Sequence, residues 1–362
     1  MVKLADLTEV PSDTYFVELD CSIGAHALVN PRASFQNKRE EPDLANNITG
    51  VLDLFAGTGV GVACQNLEIP EHGVEINPEV VKVRELNNMT TLYRDVWDAA
   101  EADRVEFNTI WASPPCQTFS LAGTGAGRRA LDSVLKEIQR GSWRNLKDLR
   151  EIADASGDDR TALVLTPLHY VNKYQPTYAV WEQVPAVLPV WDACGAVLTE
   201  KGYSVWTGVL DAAEYGIAQN RSRAYLITRK DGVVASPPET QRVKTMLEEV
   251  GWGFTNRPAP TITGHVTATR SPSGTQEVFR KAILTGKFVF KPGHSPERSK
   301  VAKNGLGSEF PPDAVNYDLE DALQLQSYPR DFKLKGSKTE IQLMIGNAVP
   351  PKLAEAILKQ FM

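Results

Sequence analysis

The sequence predicts an α/β fold: a doubly wound, mostly parallel sheet with helices on both faces, and a second, smaller domain. Three observations point there. Short apolar runs alternate with stretches of helical length and spacing from residue 49 to about 229. The first of these runs ends in a glycine-rich turn, AGTGVG. Polar or acidic residues stand where the runs end, the edge at which open parallel sheets bind ligands.

GVLDLF (50–55) is the first expected strand. GVE (73–75) is the second, and NPEVVKVRELNN behind it reads as a helix capped by Asn77. Further strands are expected at NTIWA (108–112), PTYAVWE (176–182), YSVWTGVL (203–210) and RAYLIT (223–228). TALVLTPLHYVNKY (161–174) and PAVLPVWDACGAVLTEKG (185–202) have helical spacing, each interrupted by proline. Residues 1–48 show no clear period and receive no assignment. From 230 to 317 the chain is rich in Gly, Pro, Ser and Thr, with short strand candidates such as GKFVF (286–290), the mark of a small irregular domain. The apolar pattern returns at LEDALQLQSYP (319–329), and PPKLAEAILKQF closes as a helix with Pro at its start. The first domain therefore comprises 49–229 plus 318–362.

At 362 residues, 42% hydrophobic and 23% charged, the chain has the composition of a soluble globular protein. Cys21, Cys64, Cys116 and Cys194 stand far apart with no CxxC pair, so free thiols in a reducing compartment are expected and a metal site is not. No run is long enough to span a bilayer, and MVKLADLTEVPSDTYF lacks a signal-peptide core, which leads us to expect a cytoplasmic protein, and a monomer. The net charge of −6 is unevenly spread. Residues 68–106 carry ten acidic and four basic side chains, whereas 265–304 carry two acidic and eight basic. A second basic stretch, 127–150, has seven basic against three acidic. An acidic body with two basic surfaces can grip a polyanion locally; solvated lysine-rich loops are the alternative.

The chemistry gathers at strand ends. Gly57, Gly59 and Gly61 let the backbone approach a ligand, and Glu75 lies at the distance along the chain that suits ribose hydroxyls. The spacing is GxGxG rather than GxGxxG, with Asp53 just before it. A dinucleotide, an adenosyl cofactor and a plain tight turn all fit. Asp95 follows the third strand, and Cys116, in SPPCQTFS, follows the fourth on a proline-stiffened turn. Glu182 ends the fifth. A thiolate adds to an electron-poor carbon, an acid can bond a ring nitrogen, and Arg221 and Arg223, at alternate positions of QNRSR, project to one side.

Together these residues resemble the DNA cytosine-C5 methyltransferase family, from about 50 to 229 and again from about 319 to 359. DLFAGTGVG resembles the family's first cofactor motif, SPPCQTFS its Pro-Cys-Gln motif, WEQV its Glu-Asn-Val motif and YGIAQNRSR its Gln-x-Arg-x-Arg motif; LQSYPRDF and IGNAVPPKLAEAI resemble its C-terminal signature. The resemblance implies a Rossmann-like methyltransferase with a DNA-recognition domain at 230–317, S-adenosylmethionine as cofactor with no metal, and double-stranded DNA as partner. It also implies base flipping of the target cytosine, with Cys116 attacking C6, Glu182 bonding N3 and Arg223, supported by Arg221, fixing O2. Cofactor contacts are implied for Asp53, Phe55, Ala56, Gly57, Thr58, Gly59 and Gly61, for Glu75 and Ile76 at the ribose, and for Asp95 and Val96 at the adenine. Pro115, Asn347 and Ala348 complete that set.

Three departures stand out. Gln183 replaces the family's asparagine, which positions the Pro-Cys loop, and is one methylene longer. About thirty extra residues, near 126–156, lengthen the loop after the nucleophile, either to contact phosphates or as a neutral surface insertion. Only about 27 residues separate the strand after QNRSR from RPAPTITG (257–264), which resembles the family's ninth motif, so a short recognition sequence is expected. An RNA cytosine-C5 methyltransferase and a catalytically impaired DNA-binding relative are the rival readings. A nicotinamide oxidoreductase leaves Cys116, QNRSR and IGNAVPP without a role. Whether a restriction endonuclease is paired with this chain is not written in its sequence.

Overall fold

The computed structural model describes residues 47–98, 103, 105–115, 125–156, 162–264, 273–293 and 317–362. Cys116 and, of the basic run 265–304, residues 265–272 and 294–304 therefore lie outside the described residues, as do nearly all of residues 1–48.

Among the described residues the main sheet has seven strands in the order β3-β2-β1-β4-β5-β7-β6. β1 (Val51–Leu54), β2 (Glu71–Val74), β3 (Thr90–Tyr93), β4 (Thr109–Ala112) and β5 (Tyr178–Gln183) are mutually parallel. β6 (Ser204–Asp211) and β7 (Ser222–Arg229) form a hairpin, and β7 inserts antiparallel beside β5. β1, β4 and β5 are buried along their whole length, as expected of strands covered on both faces, which is why they read as continuous apolar runs rather than alternating ones.

The strand period of two sorts their side chains into two cores. Ile110, Ala112, Ala179 and Trp181 face one layer, with α5 (Thr166–Tyr174) and α6 (Leu188–Glu200). Trp111, Tyr178 and Val180 face the other, with α1 (Gly59–Asn66) and the final helix, α11 (Pro351–Leu358). Between β2 and β3 runs α2 (Pro78–Leu86), whose Asn77 cap accepts the Glu79 amide at 2.9 Å, with Pro78 opening the helix.

The residues near 126–156 form two packed helices rather than a long loop. In α3 (Gly125–Arg140) the apolar residues Leu131, Val134, Leu135 and Ile138 recur at helical spacing, and with Leu149 of α4 (Leu146–Ser156) they join the first core or pack against it; Ala153 of α4 is buried as well. Trp143 between them is buried, donates Nε1–H to the Ile138 carbonyl at 3.2 Å and lies under the Arg144 and Lys201 cations. Lys136, Arg140, Arg144, Lys147 and Arg150 remain exposed.

Beyond residue 230, α7 (Met246–Val250), α8 (Ser273–Leu284) and the two-stranded pair β8 (Gly253–Phe254) and β9 (Phe288–Val289) surround Trp252, Phe254, Phe279 and Phe288. That aromatic cluster is continuous with α9 (Leu319–Leu325) and α10 (Lys338–Asn347). The returning segment is clamped to the glycine turn after β1. Tyr328 and Thr58 share a hydroxyl hydrogen bond of 2.6 Å, and a Cβ on Gly59 would fall 1.9 Å from the Val349 carbonyl oxygen, so only glycine admits this approach. Among the described residues no helix is long and apolar enough to cross a membrane.

Candidate active site

The strand order reverses between β1 and β4, so their carboxyl ends splay apart and leave a crevice. A cleft of about 570 Å³ opens there, within the size of ordinary ligand sites.

Its first wall is the turn after β1. Phe55 lies in the left-handed region at φ 61°, a conformation costing a non-glycine residue about 1–3 kcal/mol. Phe55, Ala56 and Gly57 line the cleft. The Ala56 amide donates to the Val74 carbonyl, tying the turn to β2. Glu75, one residue past β2, accepts the Gly57 amide on Oε2 at 2.9 Å and the Asn77 amide on Oε1 at 2.8 Å. Both oxygens are thus held while keeping lone pairs for the cleft. Ile76 is 72% exposed and lines the cleft, an apolar side chain open to a ligand.

Past β3, Asp95 accepts the Trp97 amide at 2.9 Å, and Val96 passes its carbonyl to the Tyr170 hydroxyl at 2.7 Å. Asp95, Val96 and Trp97 all line the cleft. Asn347 and Ala348, at the end of α10, line it from the returning segment.

The remaining predicted cofactor residues stand behind this wall. Asp53 is buried, its carboxyl held well above the usual carboxylate range first by burial and then by Glu71, with Arg84 pulling the other way. Thr58 is engaged by Tyr328, Gly59 touches Val349, and Gly61 packs against Met89.

The second wall follows β4 and β5. The Ser113 amide donates to the Leu54 carbonyl at 3.2 Å, and Pro114 and Pro115 carry the chain along the cleft towards Cys116. Glu182, 5% exposed, pairs with Arg223 Nε at 3.2 Å. The register explains the pair. Glu182 stands opposite Tyr225 on β7, so Arg223 is its diagonal neighbour on the same face. Gln183 donates its side-chain amide to the Pro114 carbonyl and accepts the Val184 amide. Arg221 has a different task from Arg223: its Nη1 donates to the Ile262 carbonyl at 3.1 Å and the Gly346 carbonyl at 3.0 Å. Burial and neighbouring Arg223 push its guanidinium down to about 9, with Glu182 opposing, so it stays charged at neutral pH.

Sequence reasoning missed several cleft residues. Trp97 had a signal, an aromatic two residues past a strand-end aspartate. Leu163 precedes α5 and Lys335 sits between α9 and α10; both reach the cleft without any motif. Arg150, Ala153 and Asp154 of α4 also line it, so the extra helices contribute to the site. Among the described residues no group of three or more His, Cys, Asp or Glu side chains could hold a metal ion.

Glycine turn, strand-end acids and switch-point cleft define a Rossmann-like methyltransferase fold. It is shared with the Entamoeba histolytica methyltransferase EhMeth, at a TM-score of 0.55 and 14% identity over 86% of this chain and 97% of that one. The chain matches the C-5 cytosine-specific DNA methylase family, the DNA (cytosine-5-)-methyltransferases, over residues 150–277 and 315–362. It is 24% identical over 338 residues to the Type II methyltransferase M.AplI of Arthrospira platensis, covering 85% of this chain and 84% of the relative. To the Type II methyltransferase M1.HgaI of Avibacterium volantium it is 26% identical over 170 residues, 44% of this chain and 40% of that relative.

Proposed function

We propose that the chain transfers a methyl group from S-adenosylmethionine to C5 of a cytosine flipped out of double-stranded DNA. The observation that carries this reading is the Glu182–Arg223 pair at 3.2 Å, on the same cleft as the Glu75 carboxylate and the Pro114-Pro115 turn that leads into Cys116. A base bound at the pair and a donor bound at Glu75 would share one cavity.

The residues fit an adenosyl cofactor. Glu75 offers a preoriented carboxylate to two adjacent ribose hydroxyls, Ile76 an apolar face to the adenine, and Asp95 an acceptor for its amino group. When bound, S-adenosylmethionine supplies an electrophilic methyl group on a sulfonium.

The chain's own residues do the rest. Cys116 attacks cytosine C6 as a thiolate, forming an S–C6 bond and moving electron density to C5. Glu182 bonds N3 and stabilises that density, while Arg223 fixes Glu182 and the base's O2. C5 takes the methyl group, its proton leaves to a base, and rupture of the S–C6 bond restores the double bond and the free thiolate. Arg221 supports the site from behind by joining the Gly346 and Ile262 carbonyls.

Residues 230–317 act as the target-recognition segment. The gap before RPAPTITG is short, so few base edges are read and the recognition sequence is short. The exposed cations of α3 and α4 contact phosphates, which position the duplex without reading it.

Incubating the protein with methyl-tritiated S-adenosylmethionine and either plasmid DNA or transfer RNA tests the reading, followed by bisulfite sequencing of the plasmid. Label in DNA, at cytosine C5 in one short context, is expected. Label in RNA alone, or in neither, overturns it.

A further inference from the structure

The mechanism leaves one buried charged group unused. Arg84, in the last turn of α2, is wholly buried. Its Nη2 donates to both Glu71 oxygens, at 2.8 and 2.9 Å, and to the Thr90 carbonyl at 2.6 Å. Its Nε donates to Thr91 Oγ1 at 3.1 Å. Its Nη1 reaches across to the glycine turn and donates to the Gly57 carbonyl at 3.0 Å. The backbone is built to admit this side chain: a Cβ on Gly73 would lie 2.1 Å from Nη2.

A buried ion pair alone is weak grounds for stability, since an apolar pair of similar volume packs as well. What hydrocarbon could not supply is the bond to Gly57. That residue stands at φ 51°, where glycine is free to move. The peptide before its Cα is held because its amide donates to Glu75 at 2.9 Å. The peptide after it is held because its carbonyl accepts from Arg84. The two bonds pin both planes of the most pliant residue in the cofactor wall, and one of them orients the carboxylate assigned to the ribose.

We propose that Arg84 is a positioning residue for the cofactor: by holding the Gly57 carbonyl it fixes the glycine turn and, through the Gly57 amide, the Glu75 carboxylate. The proposal rests on the reading of this cleft as the S-adenosylmethionine site. Arg84 touches no substrate, so its effect falls on affinity for the cofactor, not on the methyl-transfer step.

Arg84→Lys keeps the positive charge near Glu71 but cannot span Glu71, Thr91 and Gly57 together. Glu71→Gln keeps shape and one acceptor while loosening Arg84, and serves if the lysine variant does not fold. Calorimetric binding of S-adenosylhomocysteine, steady-state kinetics, DNA binding and hydrogen exchange at residues 56–59 are measured on the full chain. Arg84→Lys is expected to raise the Kd for S-adenosylhomocysteine and the KM for the donor about tenfold, in line with loss of a charge-assisted bond, with kcat and DNA affinity within about twofold. Glu71→Gln shifts the same constants about threefold, and the Gly57 amide exchanges faster in both. Unchanged cofactor affinity and exchange in the folded variants, or equal losses of cofactor affinity, DNA affinity and kcat, would overturn the proposal. If the unmodified protein fails to bind S-adenosylhomocysteine, the cofactor reading itself fails, which is a separate result.

Discussion

Gln183, at the end of β5, donates its side-chain amide to the carbonyl of Pro114, two residues before Cys116, while its own Oε1 takes the Val184 amide. The glutamine that departs from the family's asparagine therefore grips the proline turn after β4. Its extra methylene spans the gap between adjacent parallel strand ends, and the side chain is itself buried.

Shortening that reach tests it. Gln183→Asn is expected to slow single-turnover methyl transfer about tenfold, and Gln183→Leu about a hundredfold, because the leucine leaves the Pro114 carbonyl without its partner at a cost of about 1–3 kcal/mol. Full activity in the leucine variant would show that the turn holds itself.

Cys116→Ser is expected to abolish turnover while S-adenosylhomocysteine still binds, since serine is a far weaker nucleophile at neutral pH. Duplex DNA with 5-fluorocytosine at the target should leave a covalent complex stable to denaturing electrophoresis, because fluorine does not depart as a proton does. An active protein that never forms that adduct would count against covalent addition.

In the Glu182–Arg223 pair the carboxylate is buried and the guanidinium half-buried, at 7% and 16% side-chain exposure. Arg223→Ala strands the carboxylate and is expected to cost about 3–5 kcal/mol in urea unfolding as well as activity. Glu182→Gln should fold nearly as well yet lose activity, since the amide cannot share a proton with N3. A fully active glutamine variant would remove Glu182 from the chemistry.

Asp53 supplies a pH test. Its carboxyl is held well above the usual range by burial, by Glu71 and by Glu75, against the pull of Arg84. The folded state therefore keeps a proton that the unfolded chain releases at about pH 4. The stability this group contributes is complete below that value and declines as pH rises towards the folded pKa. Asp53→Asn is never ionised, so it should melt higher than the parent protein at about pH 8 and lose that advantage at about pH 4. Thermal unfolding at both values decides, and an identical gap at the two pH values sinks the assignment.

Trp143 measures whether the extra helices belong to the core. Trp143→Ala is expected to cost about 3–5 kcal/mol in urea unfolding. A loss below about 1 kcal/mol, the scale of surface substitutions, would make α3 and α4 a detachable appendage.

Much of the fold was legible in the sequence for a local reason. The runs at 50–55, 108–112 and 176–182 are apolar without alternation because β1, β4 and β5 are covered on both faces. Asn77 and Pro78 announced α2 by the chemistry of a helix start. The glycine turn, Glu75, Asp95 and Glu182 were legible because each follows or ends an apolar run, and in a parallel sheet those ends share an edge; Arg223 instead opens β7, whose antiparallel direction brings its start to the same edge.

What the sequence alone determined, then, was which residues stand at strand ends, since strand and helix periods are written into neighbouring side chains. Only the tertiary structure decided their partners. Gln183 gripping Pro114, Arg221 tying Gly346 to Ile262 and Arg84 reaching Gly57 join residues far apart along the chain. The same holds for the residues near 126–156, whose apolar stripe could be seen but whose destination in the core could not. Register and close packing set such contacts, and a linear pattern carries neither.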